Sequence, residues 1–216
     1  SPRLRLLTGE TPAQALNRVL AEAGHALRLR KLLAGVAGRS LTGKPVLQVS
    51  YERRPAPAAA QGCGPAGPAV AFDPAAGLRP CEQLWVRFTN VSGKPVDVSL
   101  LYFSADFQIG AIWPQQGLSN RLAPGETARA GLQIDPGSVL GLDELMVLAV
   151  PVAEDGVRVD LTRLASPDTT RDAGPGAGWF AAQLTENGET ARGFSARPAA
   201  LNMVRQVVRV LPPPQG

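Results

Sequence analysis

From Glu82 onward, short apolar segments are separated by turn residues at intervals of roughly 8–12 residues. Over residues 84–88, apolar and polar side chains alternate, as they do on the two faces of a β-strand. No helical pattern lies between the successive strands, so a doubly wound α/β fold is disfavoured. The spacing predicts a mainly β fold, an immunoglobulin-like antiparallel β-sandwich.

The predicted strands differ in how many of their faces are apolar. The run at residues 145–150 is continuously apolar, which is typical of a central strand buried on both faces. Residues 157–164 fit either a strand or a short helical turn, and residues 166–178 are predicted to be a loop. The remaining predicted strands cover residues 46–51, 84–88, 96–103, 109–113, 127–134 and 203–210.

One N-terminal amphipathic helix is predicted over residues 11–37. Thr11 is a good N-cap, Pro12 suits the first helical position, and Gln14 completes a capping box. Gly35 and Gly38 provide the stop. The apolar residues at helical spacing predict the face that packs on the core: Leu16, Val19, Leu20, Ala23, Leu27, Leu32, Leu33 and Val36.

These patterns divide the chain into three parts. We predict a helical linker plus a strand at residues 1–54, a Pro/Gly/Ala-rich connection at residues 55–80, and the β-sandwich domain at residues 81–212. No run of about 18 apolar residues is present, so we expect no transmembrane segment. Because the chain begins with Ser1 rather than Met, we expect a processed or excised piece of a longer protein.

Two cysteines, Cys63 and Cys81, lie at the two ends of the connection. A bridge between them would close a loop of about 17 residues and contribute roughly 3 kcal/mol to stability. We predict this disulfide, and with it a periplasmic or extracellular location; two unrelated cytosolic thiols are the alternative. The two cysteines and the single His25 cannot supply a four-ligand zinc site, so we predict no metal and no cofactor.

The formal net charge is +4, and its densest stretch contains Arg28, Arg30 and Lys31. A basic chain binds nucleic acid only when its charge is concentrated on one face. Elsewhere the arginines are scattered singly between acidic residues. We therefore interpret this stretch as a solvated helix face and predict no nucleic-acid binding, while retaining the three residues as candidate contacts for a protein partner.

One arrangement imitates a cysteine-peptidase dyad. The residues Gln61-Gly62-Cys63-Gly64 are similar to a caspase signature, and His25 lies upstream. However, the Pro- and Ala-rich residues before Cys63 cannot form the central strand that such a nucleophile follows. The sequence also lacks a Gly-x-Ser-x-Gly elbow, a phosphate loop and a His-Glu-x-x-His motif. We therefore predict no catalytic residues.

The strand region resembles an uncharacterised bacterial domain family found C-terminal to caspase-like peptidase domains. The segments that carry the resemblance are LWVRFTN at residues 84–90, VSLLYF at 98–103, IGAIWP at 109–114 and LAPGE at 122–126. This resemblance implies an accessory, non-catalytic module beside a caspase-like domain. It does not imply that this piece carries peptidase residues.

Three functions are compatible with these observations. We expect a binding module that positions an adjacent caspase-like domain or a protein partner, with Trp113, Gln115 and Gln116 as further candidate contacts. The alternative is the C-terminal fragment of a processed cysteine protease, contributing to an active site supplied by another chain or domain. A carbohydrate-binding sandwich ranks last, because it would need an exposed aromatic platform and the chain has few aromatic residues.

Overall fold

A computed structural model describes residues 6–38, 44–59, 62–115, 118–184 and 200–213. The chain is mainly β, with two antiparallel sheets and an N-terminal helix, as the sequence predicts. The strands are β1 (Leu47–Arg54), β2 (Val70–Ala71), β3 (Gln83–Asn90), β4 (Val96–Phe103), β5 (Ile109–Trp113), β6 (Arg121–Leu122), β7 (Thr127–Gln133), β8 (Gly141–Pro151) and β9 (Asn202–Val210). The helices are α1 (Pro12–Ala37), a 3₁₀ helix (Leu161–Leu164), α2 (Pro167–Arg171) and α3 (Gly174–Leu184).

The first sheet has the strand order β2-β1-β3-β7. Its centre is the antiparallel pair of β1 and β3, in register from Leu47 opposite Asn90 to Arg54 opposite Gln83. Since β1 precedes the connection at residues 55–80 and β3 follows it, this sheet joins residues from both sides of that connection. The alternation predicted for β3 is observed: its buried side chains point to one face and its more exposed ones to the other.

The second sheet has the order β5-β4-β8-β9, with the short β6 also paired to β4. Strand β8 lies between β4 and β9 and is almost entirely buried from Leu145 to Val150. This confirms the prediction of a central strand covered on both faces. Strand β4 is covered in the same way, because its two faces contribute to two different apolar clusters.

Two apolar clusters give the molecule three layers. One cluster lies between the sheets and contains the large side chains of Phe88, Leu100 and Leu145. The other lies on the far face of the five-stranded sheet, where α1, the 3₁₀ helix and α3 cover Phe103 and Leu148. The order of layers is therefore four-stranded sheet, five-stranded sheet and helices.

The prediction of a loop over residues 166–178 is wrong, because this segment contains α2 and the first part of α3. Ser166 caps α2 in a capping box with Thr169, a signal that was readable in the sequence. The glycines that open α3 argue against a helix by propensity alone. A Cβ atom at Gly176 would lie 2.0 Å from the carbonyl oxygen of Arg158, so this glycine permits the close packing that holds the helix in place.

Candidate functional site

The two members of the apparent peptidase dyad have other partners. His25 is buried in α1, and its Nε2 lies 2.8 Å from the carbonyl oxygen of Leu164. Because a carbonyl oxygen can only accept, Nε2 carries the donated proton. The sulfur of Cys63 is bonded to Cys81. The hydrogen bond of His25 connects α1 to the 3₁₀ helix. The disulfide connects Cys63 to Cys81, just before β3.

The disulfide that the sequence predicts is present in the structure. Cys81 is fully buried and its backbone N–H donates to the carbonyl of Ile134 at 2.7 Å, immediately after β7. The disulfide therefore attaches the Pro-rich connection, at Cys63, to the four-stranded sheet next to the end of β7. Among the described residues, no group of three or more His, Cys, Asp or Glu side chains is placed to hold a metal ion.

The aromatic candidate from the sequence, Trp113, lies in the core between the sheets. Its ring makes an edge-to-face contact with Phe88 at 5.8 Å between centroids. Gln115 is exposed in the following loop, and Gln116 lies outside the described residues. The structure thus places Trp113 and Gln115 in different surroundings, one packed in the core and the other in solvent.

The basic candidates on α1 also separate. Arg28 and Lys31 are exposed, whereas the guanidinium of Arg30 lies 4.9 Å above the ring of Phe103. The Nε of Arg30 is 3.5 Å from a carboxylate oxygen of Glu144 on β8. Arg30 therefore packs between α1 and the five-stranded sheet. Its contacts place it beside the end of β4, at Phe103, and the start of β8, at Glu144.

The most strongly perturbed titratable pair is Tyr102 with Asp143. The Tyr102 hydroxyl donates to Asp143 Oδ2, and the Ala105 N–H donates to Oδ1 at 2.8 Å. Burial raises the pKa of Asp143, against the opposing effect of these hydrogen bonds, and burial together with Asp143 raises the pKa of Tyr102. Both carboxylate oxygens have partners within the fold. The pair therefore holds the turn after β4 against β8.

Helix α1 buries only part of the face that the sequence predicts. Its capping box and its extent are as expected, but Leu16, Leu20 and Leu27 are exposed. Leu20 retains 60% of its accessible surface and Leu27 54%, so neither belongs to the core. The predicted core face is therefore wrong at Leu16, Leu20 and Leu27. Leu33 and Val36 are buried as predicted, and the other buried residues of α1 are Ala15, His25, Ala26, Leu29 and Ala37.

The sequence misled here because α1 has two apolar faces, both at helical spacing. Contacts with distant elements select one of them: His25 reaches Leu164, Glu22 accepts from Gln108 Nε2 at 2.9 Å, and small residues allow the helix to approach the sheet. The remaining leucines form a stripe on the outer flank of the helix. We call Leu16, Leu20 and Leu27 the α1 ridge.

One part of the five-stranded sheet is not covered by any helix of the described residues. Leu142 lies opposite Arg209, and Glu144 lies opposite Val207 in the next row of the same face. Leu142 is 60% exposed and Val207 38% exposed, although both point to the face that the helices cover elsewhere. We call Leu142, Val207 and Arg209 the uncovered strip. Because Arg30 reaches Glu144, the side of α1 that carries Arg30 lies next to this strip, and Leu27 is one turn before Arg30 on the helix.

The surface formed by the ridge and the strip is apolar with a positive margin. Glu144 is shared by Arg30 and Arg205, at 3.5 and 2.6 Å. Lys31 and Arg209 are exposed and add further positive charge. Two of these cations, Arg30 and Arg205, thus contact the carboxylate of Glu144. This charge pattern distinguishes the surface from a purely apolar patch.

An apolar depression of about 440 Å³ lies at the far end of the ridge. Ala34 and Ala37 at the end of α1 form one wall, Leu47 at the start of β1 forms another, and Leu201 and Met203 form a third. Lys44 lies at its border. The depression extends the apolar surface from the ridge towards the start of β9.

Comparisons with known proteins give little further information. No family model matches this chain, and no curated protein matches it. Among solved structures, an X-ray structure of the Northeast Structural Genomics Consortium target SoR45 is similar at 9% sequence identity, over 51% of this chain and 75% of that chain, with a TM-score of 0.28. At this score the likeness carries no argument about fold or function. No helix in the described ranges is both long enough and apolar enough to cross a membrane.

Proposed function

We propose that this chain is a non-catalytic protein-interaction module that accompanies a bacterial caspase-like peptidase domain and positions that domain or a protein partner. The α1 ridge beside the uncovered strip is the observation that carries the proposal. Exposed leucines in line along a 26-residue helix are costly in water and useful in an interface. The engagement of His25 with Leu164 and of Cys63 in a disulfide supports a non-catalytic role.

The occupant of this surface is an amphipathic helix of the partner, with acidic residues beside its apolar face. Leu20 and Leu27 are seven residues apart, the spacing at which one helix presents a seam to another. The surrounding cations favour glutamate or aspartate on the flanks of the incoming helix. Lys31 and Arg209 are the exposed charges available to meet them.

A direct test uses a fluorescein-labelled helical peptide with leucine at the a and d positions and glutamate at e and g, measured by anisotropy. We expect the double variant Leu20→Ser/Leu27→Ser to weaken binding about tenfold, or ~1.4 kcal/mol. Both side chains are exposed, so the fold is retained. Val157→Ser is the matched control, since Val157 is 61% exposed on the connection after β8.

Two results would contradict the interaction surface: equal binding of the glutamate peptide and a lysine counterpart, or an unchanged affinity in the ridge variant. The caspase association has its own test in the coding sequence on either side of this chain. A caspase-like domain in the same reading frame supports the association, and a gene without one contradicts it while leaving the binding surface intact.

We also propose that the two sheets form an immunoglobulin-like sandwich. The order β1-β3-β7 in one sheet and β5-β4-β8-β9 in the other supports this, since it corresponds to strands A-B-E and C′-C-F-G of that fold. The 3₁₀ helix, α2 and α3 are then an insertion between strands F and G, and α1 precedes strand A. An experimental structure with mean strand directions about 30° apart in the two sheets would agree, and orthogonal sheets would not.

A periplasmic or extracellular location is part of the same proposal. The Cys63–Cys81 disulfide supports it, because such bonds persist in oxidising compartments. Thiol labelling of the protein in intact bacteria and after fractionation is the test. We expect both cysteines to be protected until a reductant is added, and labelling without reductant would contradict the proposed location.

A further inference from the structure

Strand β7 is the last strand of the four-stranded sheet, and one row of its backbone groups is turned away from β3. The N–H of Ile134 donates to Glu82, and the N–H of Asn90 donates to the carbonyl of Glu126. Hydrogen-bonded residues alternate along an antiparallel ladder, so the even-numbered residues of β7 bond to β3. The residues whose backbone groups face the open side are Thr127, Arg129, Gly131 and Gln133.

This row has no partner within the described part of the chain. Apart from the ladder with β3, no backbone hydrogen bond of the described residues involves the row. The β3–β7 register is continuous, and the sequence TARAGLQ contains neither Pro nor Lys. Bulges, proline and charged side chains are the devices by which proteins usually protect an edge strand from pairing. Among these, β7 carries one charged side chain, that of Arg129, which disfavours a basic partner strand and not an acidic one.

The other edges of the two sheets are short, irregular or partly covered. Leu78 covers the last part of β9, donating to the carbonyl of Arg209 and accepting from the N–H of Leu211, both at 2.8 Å. The outward backbone groups of Met203, Arg205 and Val207 in the first part of β9 have no backbone partner among the described residues. Strand β2 has two residues, and β5 has an irregular register against β4 and is followed by Pro114. A long open row is therefore a feature of β7 and of the first part of β9.

The sheet face beside this edge is strongly basic. Arg87 and Arg129 lie directly opposite each other, an arrangement of like charges that costs stability. Arg129 is compensated by Glu52 at 2.8 Å and by stacking 4.4 Å above Trp85. Arg87 is exposed and has no ion pair among the described residues. Its position is unfavourable for the isolated fold and favourable for an acidic partner.

We propose that β7 accepts an extended acidic segment of a partner protein as an additional strand. The open backbone row supplies the main-chain hydrogen bonds, as in other cases where a peptide extends a sheet. Alternate side chains of the incoming strand would lie on the basic face beside Arg129, and Arg87 lies on the same face one strand further from them. The other side chains would lie beside Ala128 and Leu132, which are half-buried, and should be apolar. The favoured segment therefore alternates acidic and apolar residues.

A second copy of this chain is a poorer occupant of the same edge. Pairing two β7 strands would bring the Arg129 side chains of both copies into one ladder, next to both Arg87 residues. Opposite charges across a strand pair stabilise it and like charges destabilise it. The charge of this face thus selects an acidic segment over self-association.

The test measures anisotropy of a labelled peptide in which glutamate and valine alternate. We expect Arg87→Gln to weaken binding about tenfold, because Arg87 then no longer attracts the outer glutamates. Gln133→Pro should have an effect of similar size, because it removes an outward N–H at an edge position where proline is tolerated. Arg163→Gln, an exposed position in the 3₁₀ helix, is the matched control and should leave the affinity within about twofold of the parent.

Three outcomes would overturn the inference. One is equal binding of a lysine–valine peptide, and another is unchanged binding of the glutamate peptide when its alternate amides are N-methylated. The N-methylated peptide is tested on the unaltered protein, so the result does not depend on the folding of Gln133→Pro. The third is a dimer in sedimentation that Gln133→Pro converts to monomer, which would assign the edge to a second copy.

Discussion

Asp97 on β4 and Arg121 on β6 form a two-pronged ion pair in which the carboxylate is completely buried. Arg121 Nε lies 2.8 Å from Oδ1, and its Nη2 lies 3.0 Å from Oδ2. The Val159 N–H also donates to Oδ2 at 2.8 Å. This carboxylate therefore joins the short β6 and the connection after β8 to one point on the five-stranded sheet.

Arg121→Ala should be among the most destabilising surface substitutions in this chain. It leaves the buried carboxylate of Asp97 with the Val159 N–H as its remaining partner, and we expect a loss of about 3 kcal/mol in the free energy of unfolding. Urea denaturation is the measurement. Arg205→Ala is the control, since its pair with Glu144 is half exposed and should cost less than about 1 kcal/mol. Equal losses would contradict the prediction.

Asp143→Asn should make the protein relatively more stable as the pH rises. Burial raises the folded-state pKa of Asp143 above 3.8, so its protonated form contributes stability at low pH that is lost as the pH rises through the folded-state pKa. Asparagine does not titrate, and it can still accept from Ala105 and donate to Tyr102.

We therefore expect the unfolding free energy of Asp143→Asn, minus that of the parent, to increase from about pH 3 to about pH 7. A flat difference for Asp143→Asn would mean that the carboxylate is not destabilised by its burial.

Removing the disulfide should destabilise the whole fold and not the connection alone. The bridge spans a sequence separation of 18, and a loop of this size is worth about 3 kcal/mol. We expect Cys63→Ala/Cys81→Ala to lose that amount in urea denaturation. A reductant should lower the stability of the parent to the same level and leave the variant unchanged. A further loss in the reduced variant would show that the reductant acts elsewhere.

Gly131→Ala should disturb the stacked side chains on the outer face of the four-stranded sheet. A Cβ atom there would lie 2.7 Å from Trp85 Cδ2, so the indole must move from its place over β7. We expect a loss of about 1–3 kcal/mol and a shift in tryptophan fluorescence. Gly93→Ala meets nothing within 4 Å and should change stability by less than about 0.5 kcal/mol. An unchanged fluorescence spectrum in Gly131→Ala would contradict the stacked geometry.

The positions of the strands could be predicted well from local pattern. Strand β4 has the bounds that its sequence predicts, and the buried centre of β8 coincides with the continuous apolar run. The alternation of β3 also predicted its core face. These features depend on the period of two along a strand and on the turn residues between strands, and both are local properties.

The candidate surfaces could not be predicted in the same way. The leucines at positions 16, 20 and 27 were predicted to be core residues, and the structure places them in solvent. Residues 166–178 have a weak helix propensity, yet α3 forms because Phe180 and Leu184 are buried against the sheet and α1. The candidate surface is recognised by apolar residues that have the spacing of a core face and are nevertheless exposed. Their exposure is known only after the helices and sheets have packed together.

The sequence by itself determined where the chain alternates, where it turns, where α1 begins and ends, and which cysteines are paired across the connection. Each depends on residues that are near one another in the chain or on a composition confined to one segment. Only the tertiary structure decided which apolar face of α1 is covered and which edge strand stays open. The covered face of α1 depends on contacts such as that of His25 with Leu164, 139 residues away. The open edge depends on the strand order of the four-stranded sheet, in which no further strand follows β7.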